Sequence, residues 1–460
     1  MMRRWRTYGS LAAALMLAGC ASYRPEPLAK APNLAPDMAA LDRTIPTAKP
    51  GEPPFKISVN HALAVGQVGL LAVLNDPGLK SERGELGLAK AQLINASLLP
   101  NPSLGLGFAA LIYGPPGAGA STPSYAASLS QDITSLITYH ARVAAARAEL
   151  RSVNARLLWN EWQVAQDARL LATQIYYANI QIRDRAREFK LLSDELVAVR
   201  EAAASGSLDL TAEAPLAQAK ANASTALATA KLAQLKNWQK LDALMGLEPS
   251  VRFEIRKPLI PPLPASPAAL LATLPSRRPD LVALQLGYAA QENRVRAAIL
   301  GQFPALSLGP AGGTDTSNIL SIGPTLTMDL PIFNQNQGGI AAARATREVL
   351  HSQYQAELDK AAGMVSGLSA RIAVIRKDIR SASADAKTAT LAAKDAEEAY
   401  AQGNLDQRSL VDYQTTALAR ELELVALRTS LDSDQLALAI ELGVGLPQTR
   451  IVPQPKVTKS

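Results

Sequence analysis

Few residues in this chain are of the types that do covalent or acid–base chemistry, and their spacing keeps them apart. The three histidines, His61, His140 and His351, are widely separated. No His-Glu-x-x-His, Cys-x-x-Cys or P-loop pattern supplies a metal site, a thiol pair or a phosphate cradle. Gly312-Gly313 reads as a turn, because no β-α unit surrounds it. The chain therefore calls for no cofactor, no metal and no catalytic group, and the expectation is that it is not an enzyme. One residue invites covalent modification: Cys20, the only cysteine, for which no disulfide or catalytic thiol competes.

Cys20 closes a short export pattern. Arg3, Arg4 and Arg6 precede an apolar run over residues 11–18, followed by Gly19-Cys20. That is a positive n-region, an h-region too short to span a bilayer, and a small-residue processing site. Leu17-Ala18-Gly19-Cys20 resembles the bacterial lipobox, in which the cysteine carries fatty-acyl chains such as palmitate and becomes the mature N-terminus. Ala21, rather than Asp, follows it, which in that class of lipoprotein points to the outer membrane. An ordinary signal peptide with a stray cysteine is the plainer alternative. Acylation would anchor the chain without making it span.

Behind this anchor the chain is built twice. Residues 129–247 shifted by 197 positions lie on 326–444 without a gap. Leu129 meets Leu326, Asp132 meets Asp329, and Ala144-Ala145-Ala146-Arg147-Ala148 meets Ala341-Ala342-Ala343-Arg344-Ala345. Gly206, Leu208, Asp209, Leu241 and Gly246 meet Gly403, Leu405, Asp406, Leu438 and Gly443. The period is too long for a solenoid and fits a two-fold duplication. The segments 58–97 and 267–301 each read as helices broken at a proline, at Asp76-Pro77-Gly78 and at Arg278-Pro279-Asp280-Leu281. Each then reaches a strand signal, Leu99-Pro100-Asn101-Pro102-Ser103-Leu104-Gly105 and Phe303-Pro304-Ala305-Leu306-Ser307-Leu308-Gly309, at an offset of 204. The first hairpin's connection, with its loop over 113–120, is accordingly about seven residues longer (204 − 197) than that of the second, with its loop over 309–317, and insertions of this kind belong in exposed loops.

The returning strands alternate. Leu320, Ile322, Pro324, Leu326, Met328 and Leu330 fall on one face, and Ile319, Ser321, Gly323, Thr325, Thr327 and Asp329 on the other. The first copy sets Tyr125, Ala127, Leu129, Gln131 and Ile133 against Ser124, Ala126, Ser128, Ser130, Asp132 and Thr134. A lipid-facing, lumen-facing barrel strand requires this pattern, and a half-buried soluble sheet produces it too. Helix-period sequence then runs over 139–205, about 100 Å at the helical rise, a length that only coiled-coil packing supports. A glycine turn at Gly206 or Gly403 sends each helix back toward Gly246 or Gly443. In the last helix Leu410, Ala417, Leu424, Leu431 and Leu438 recur every seven residues, a coiled-coil seam.

Hydrophobic residues make up 48% of the chain and aromatics only 5%, which suits long, closely packed helices. The formal charge is +7, or +4 without the three signal arginines, and has no basic block, so nucleic-acid binding gains no support. No apolar run of about 20 residues follows the signal, so a crossing would have to be a β-barrel. Four strands per chain cannot close one, since about eight is the practical minimum and an open edge cannot sit in lipid. Strands would be pooled between chains, and three chains give twelve.

In order and spacing, the lipobox, the duplicated hairpin-and-long-helix unit, Arg278-Pro279-Asp280-Leu281 and the paired glycine turns resemble the outer membrane factor (TolC) family, lipoprotein branch. The resemblance covers essentially the whole mature chain. It implies an α+β membrane protein: a homotrimer whose twelve-stranded barrel, four strands per chain, continues into a periplasmic α-helical coiled-coil barrel. It implies the exit duct of a tripartite efflux or type I secretion system in a Gram-negative outer membrane, joined through a periplasmic adaptor (membrane fusion) protein to an inner-membrane pump. The adaptor-contact tips it implies are Gly206-Ser207-Leu208-Asp209 and Gly403-Asn404-Leu405-Asp406. Val411-Asp412-Tyr413-Gln414 matches the place where the family carries acidic gate residues, so Asp412 is the candidate for a carboxylate ring. Ser409 stands where a second family aspartate would be; the plainer reading of Asp412 is a solvated charge or a partner of Arg408. Pro331-Ile332-Phe333-Asn334-Gln335-Asn336-Gln337-Gly338 looks closer to members paired with metal-cation pumps than to drug or secretion ducts.

The expected organisation is a signal peptide over 1–19, a lipid-anchored extended segment over 20–57, a first repeat over 58–247, a proline-rich linker over 248–266, a second repeat over 267–446 and a tail over 447–460. Strand pairs are expected at about 99–136 and 303–331, and helical hairpins at about 139–246 and 338–444. A lipid-anchored coiled-coil tether without a pore is the rival; it would not need matched pairs of alternating strands.

Overall fold

The computed structural model describes residues 23–45, 54–110, 122–205, 213–260, 262 and 266–445. Cys20 and its signal, loop 113–120, the tip residues Gly206, Ser207, Leu208 and Asp209, and the tail from 447 lie outside the described residues.

Two short strands, β1 (Thr44–Ile45) and β2 (Phe55–Lys56), pair antiparallel beside two helices, α1 (Val65–Asn75) and α2 (Pro77–Ser97). The break between the helices has a local cause. Pro77 cannot continue α1 but is pre-set for the first turn of α2, and the Asp76 carboxylate accepts the Leu79 N–H at 2.7 Å as its N-cap. Strands β3 (Ser103–Ala109) and β4 (Ser124–Asp132) lead directly into α3 (Thr134–Ala204), which returns as α4 (Glu213–Met245). The second half repeats the scheme with α5 (Pro267–Leu271), α6 (Leu274–Arg277), α7 (Pro279–Leu300), β5 (Leu306–Thr314), β6 (Leu320–Met328), α8 (Gln337–Ala401) and α9 (Gln407–Glu441).

The 71 residues of α3 contain neither proline nor glycine, so nothing in the backbone interrupts about 105 Å of helix. It starts at Thr134, five residues before the expected 139, because the Asp132 carboxylate caps the Ser135 N–H at 3.1 Å as the strand ends. The long helices lie side by side in the order α4, α3, α9, α8, with α7 against α3 and α8. The heptad seam is buried where α9 meets α8: Leu438 packs with Val365 and Ile372, and Leu424 with Ala382 and Ala386. Alanines at these α8 positions let the helix axes approach.

The largest core cluster sits mid-length, where α1, α3 and α4 converge on Ile57, Val68, Leu71, Ile175, Leu241 and Met245. The proline-rich lead is pinned to this core. Ala35 bonds Gly246 and Glu248 through its backbone at 2.8 and 3.0 Å, and Met38 and Leu41 are buried. The linker is tied down on the same core, Leu63 exchanging backbone bonds with Glu254 and Arg256.

The four longer strands form one antiparallel sheet in the order β3-β4-β5-β6, so the hairpins of the two repeats pair directly through β4 and β5. Here the structure corrects the sequence. The expected loop over 309–317 and the turn at Gly312-Gly313 are strand: β5 runs to Thr314, and the turn is at Asp315, whose carboxylate accepts the N–H groups of Ser317 and Ile319. The glycines serve close approach. A Cβ on Gly309 or Gly313 would collide with the β4 backbone at Leu129 or Tyr125.

Candidate membrane face and periplasmic gate

The pairing register sorts the alternating residues onto two faces. Leu104 stands opposite Leu129, Phe108 opposite Tyr125, Leu308 opposite Leu326, and Gly312 opposite Ile322. On this face Leu104, Leu106, Phe108, Tyr125, Leu320, Ile322 and Leu326 are all exposed, Ile322 to 84%. The other face carries Gly105, Gly107, Ala126, Ser128, Ala311, Gly313, Ser321 and Thr325, small or hydroxyl-bearing groups. Leaving the apolar face in water forgoes roughly 1.5–3 kcal/mol per large side chain, and no described element covers it. Among the described residues β3 pairs only with β4 and β6 only with β5, so both outer edges of the sheet are open. No described helix is long and apolar enough to cross a membrane.

At the far end of the long helices, α8 stops at Gly403. Its φ of +74° is open to glycine, and the N–H groups of Gly403 and Asn404 close on the carbonyls of Tyr400 and Ala399 at 2.9 Å each, which satisfies the last carbonyls of the helix. Gly246 and Gly443 end α4 and α9 with the same left-handed turn, at φ +62° and +61°. Asp406 then caps α9: it accepts the Ser409 N–H at 2.9 Å and the Ser409 hydroxyl at 2.7 Å. The backbone bond first, and the hydroxyl second, hold its carboxyl below the usual carboxylate range. Ser409 is thus spent on the cap.

Asp412 lies one turn further. Val411 beside it is buried against Leu192 and Ala223, so Asp412 is left exposed on α9. It makes no ion pair with Arg408 or any other described residue. With Arg408 and Asp406 it lines a cleft of about 790 Å³ between α3, α4 and the start of α9. Across that cleft the Gln407 amide donates to the buried Glu195 carboxylate at 2.9 Å, joining α3 to α9. On the opposite side Gln414 donates to Glu397 of α8 at 2.7 Å.

A second cluster, mid-length, was only half visible in the sequence. Arg278 is 2% exposed and meets three carboxylates: Asp280 at 2.6 Å, Glu441 at 2.6 Å and Glu357 at 3.3 Å. Its guanidinium also lies 4.7 Å from the ring centroid of Trp159. One side chain thus ties α7 to α8, α9 and α3. Burial pushes the Glu441 carboxyl up against the pull of Arg278. Between the ordinary glutamate value and this raised one, the folded chain holds a proton that the unfolded chain releases. The stability this group contributes is therefore complete below the ordinary value and lost as pH rises through the raised one. Glu441→Gln is expected to flatten that decline in thermal unfolding measured at successive pH values above 4.5; equal slopes in both proteins would remove Glu441 as its source.

No group of three or more metal-ligating side chains occurs among the described residues. Residues 270–444 match the outer membrane efflux protein family, so the match falls on the second repeat. No curated protein sequence matches the chain. Solved structures match much more of it. The CmeC outer membrane channel of Campylobacter jejuni is 16% identical with a TM-score of 0.67, covering 84% of this chain and 86% of its own. The outer membrane protein VceC of Vibrio cholerae is 18% identical with a TM-score of 0.65, covering 83% and 97%. The open state of the MtrE outer membrane channel of Neisseria gonorrhoeae is 16% identical with a TM-score of 0.64, covering 83% and 89%. Proteins of this family are channels and not enzymes. The resemblance read from the sequence therefore finds support on two counts: residues 270–444 match the outer membrane efflux protein family, and the chain shares its fold with solved outer-membrane channels.

Proposed function

We propose that this protein is the outer-membrane exit duct of a tripartite efflux system. Three copies pool their sheets into a twelve-stranded barrel, and their long helices continue it through the periplasm. The carrying observation is a four-stranded sheet with an exposed apolar face and two open edges, set directly on a helix of about 105 Å. Lipid covers such a face, and only closure with other copies removes the edges. In this reading the barrel sits in a Gram-negative outer membrane, and acylated Cys20 anchors the lead beside it. The helices reach a periplasmic adaptor at Gly206, Ser207, Leu208, Asp209, Gly403, Asn404, Leu405 and Asp406, and through it an inner-membrane pump that supplies the energy. The cargo class is small molecules or metal cations, and the duct need not bind what it passes.

The gate is assigned to Asp412. Its carboxylate is exposed and unpaired close to the α8–α9 tip, and three copies around one axis would concentrate cations at the narrowest point. Conductance across planar bilayers tests it. Asp412→Ala is expected to raise basal conductance or weaken block by divalent cations several-fold, whereas an unchanged pore would take Asp412 out of the gate.

A further inference from the structure

The cleft between α3, α4 and the start of α9 has the size and the lining of a small-molecule site. Its volume of about 790 Å³ falls in the range of roughly 300–1,000 Å³ usual for such sites. Leu192, Val199, Leu216 and Val411 give it an apolar wall. Four carboxylates, of Glu188, Glu195, Asp406 and Asp412, line it with two guanidiniums, of Arg185 and Arg408, so the lining carries a net charge of −2 (2 − 4).

Glu195 is the residue that asks for a ligand. It is 4% exposed, yet its carboxylate takes only the Gln407 amide, at Oε2. Oε1 accepts no hydrogen bond from a described residue, and neither Arg185 nor Arg408 makes an ion pair with it. Burial against an apolar wall disfavours a carboxylate unless a cation compensates it. Gln407 is neutral, so that cation is missing from the described residues.

The lining narrows what could supply it. An anion meets net negative charge. A bare metal ion finds no set of three ligating side chains among the described residues, and it would shed its water against an apolar wall. A neutral apolar molecule leaves Glu195 uncompensated. An organic cation with an apolar body suits both parts of the site, its charge at Glu195 and its body against Leu192, Leu216 and Val411.

We propose that this cleft binds an amphipathic organic cation, a protonated amine or a quaternary ammonium, with Glu195 as its counter-ion. α3 and α4 belong to the first repeat and α9 to the second, so one bound molecule touches both hairpins. The site goes beyond the duct reading and does not depend on it.

Ethidium, a planar aromatic cation whose fluorescence anisotropy rises on binding, tests the site with the full-length protein in a non-ionic maltoside detergent. Saturable binding is expected. Glu195→Gln, which still accepts the Gln407 amide, is expected to weaken it about tenfold. Ala219→Phe, whose ring fills the cleft, is expected to abolish it. Glu188→Gln, half-buried in the same lining, gives a second charge reading with a smaller loss should either variant fail to fold. Neutral phenanthridine at pH 8 is expected to bind at least about tenfold more weakly than ethidium. Absence of saturable binding overturns the site. Equal affinity in the parent and both glutamine variants, or for ethidium and phenanthridine, removes the charge recognition and the proposal with it. Binding that survives Ala219→Phe places the dye elsewhere and overturns the assignment. A monomer or solid rod by mass and microscopy would end the duct reading while leaving these titrations unchanged.

Discussion

Replacing Arg278 by alanine is expected to destabilise the protein by about 3–5 kcal/mol, the cost of stripping one partner from a buried ion cluster. The guanidinium is 2% exposed among Asp280, Glu357 and Glu441. Without it three carboxylates face one another in a poorly solvated site, and Trp159 loses the cation stacked on its ring. The carboxylates belong to α7, α8 and α9 and the ring to α3, so the damage reaches four helices at once. Thermal unfolding followed by circular dichroism measures it. Arg278→Lys is expected to recover only part of the loss, because an ammonium cannot form the two parallel bonds that the fork makes with Asp280. An alanine variant as stable as the parent would show that the cluster is incidental to the fold.

The second large effect is expected in the sheet. Gly313→Val places a branched side chain where a Cβ already collides with the Tyr125 carbonyl. Backbone cannot yield as a flexible side chain can, so β4 and β5 must separate. That pairing is the seam between the two repeats, so the variant is expected to lose the detergent-stable sheet while keeping its helical signal. Gly323→Ala on β6 is the control, since open space surrounds that position. Retained resistance of the sheet to protease in detergent separates the two: expected for Gly323→Ala, lost for Gly313→Val. Survival of the sheet in Gly313→Val would mean that β4 and β5 are not held this close.

These two sites also show where sequence reasoning reaches and where it stops. Local signals were legible because their partners are local. A proline after Asp76 or Arg278 breaks a helix wherever the rest of the chain lies, glycine at Gly403 ends one, and the seven-residue spacing of Ala417, Leu424 and Leu438 fixes the face that is buried. The cap of Asp406 on Ser409 was within reach by the same logic, as an acidic residue three positions before a hydroxyl at a helix start. Gly312 and Gly313 misled because glycine marks a turn or a close approach equally well, and only the neighbouring strand decides between them. The partners of Arg278 were out of reach. Glu357 and Glu441 lie 79 and 163 residues away, and nothing in the periodicity of α8 or α9 marks them. Asp412 is marked in the sequence only by resemblance; in the structure its neighbour Val411 faces inward and leaves the carboxylate exposed.

The central claim is that single chains with open-edged sheets close into one hollow duct. Light scattering and negative-stain microscopy of the detergent-purified protein test it most directly. The expected result is the mass of three 48.7 kDa chains, less the signal, in a long hollow cylinder with a short detergent-covered end. A monomer, or a thin solid rod soluble without detergent once Cys20 is removed, would contradict it and leave the helices as a lipid-anchored tether.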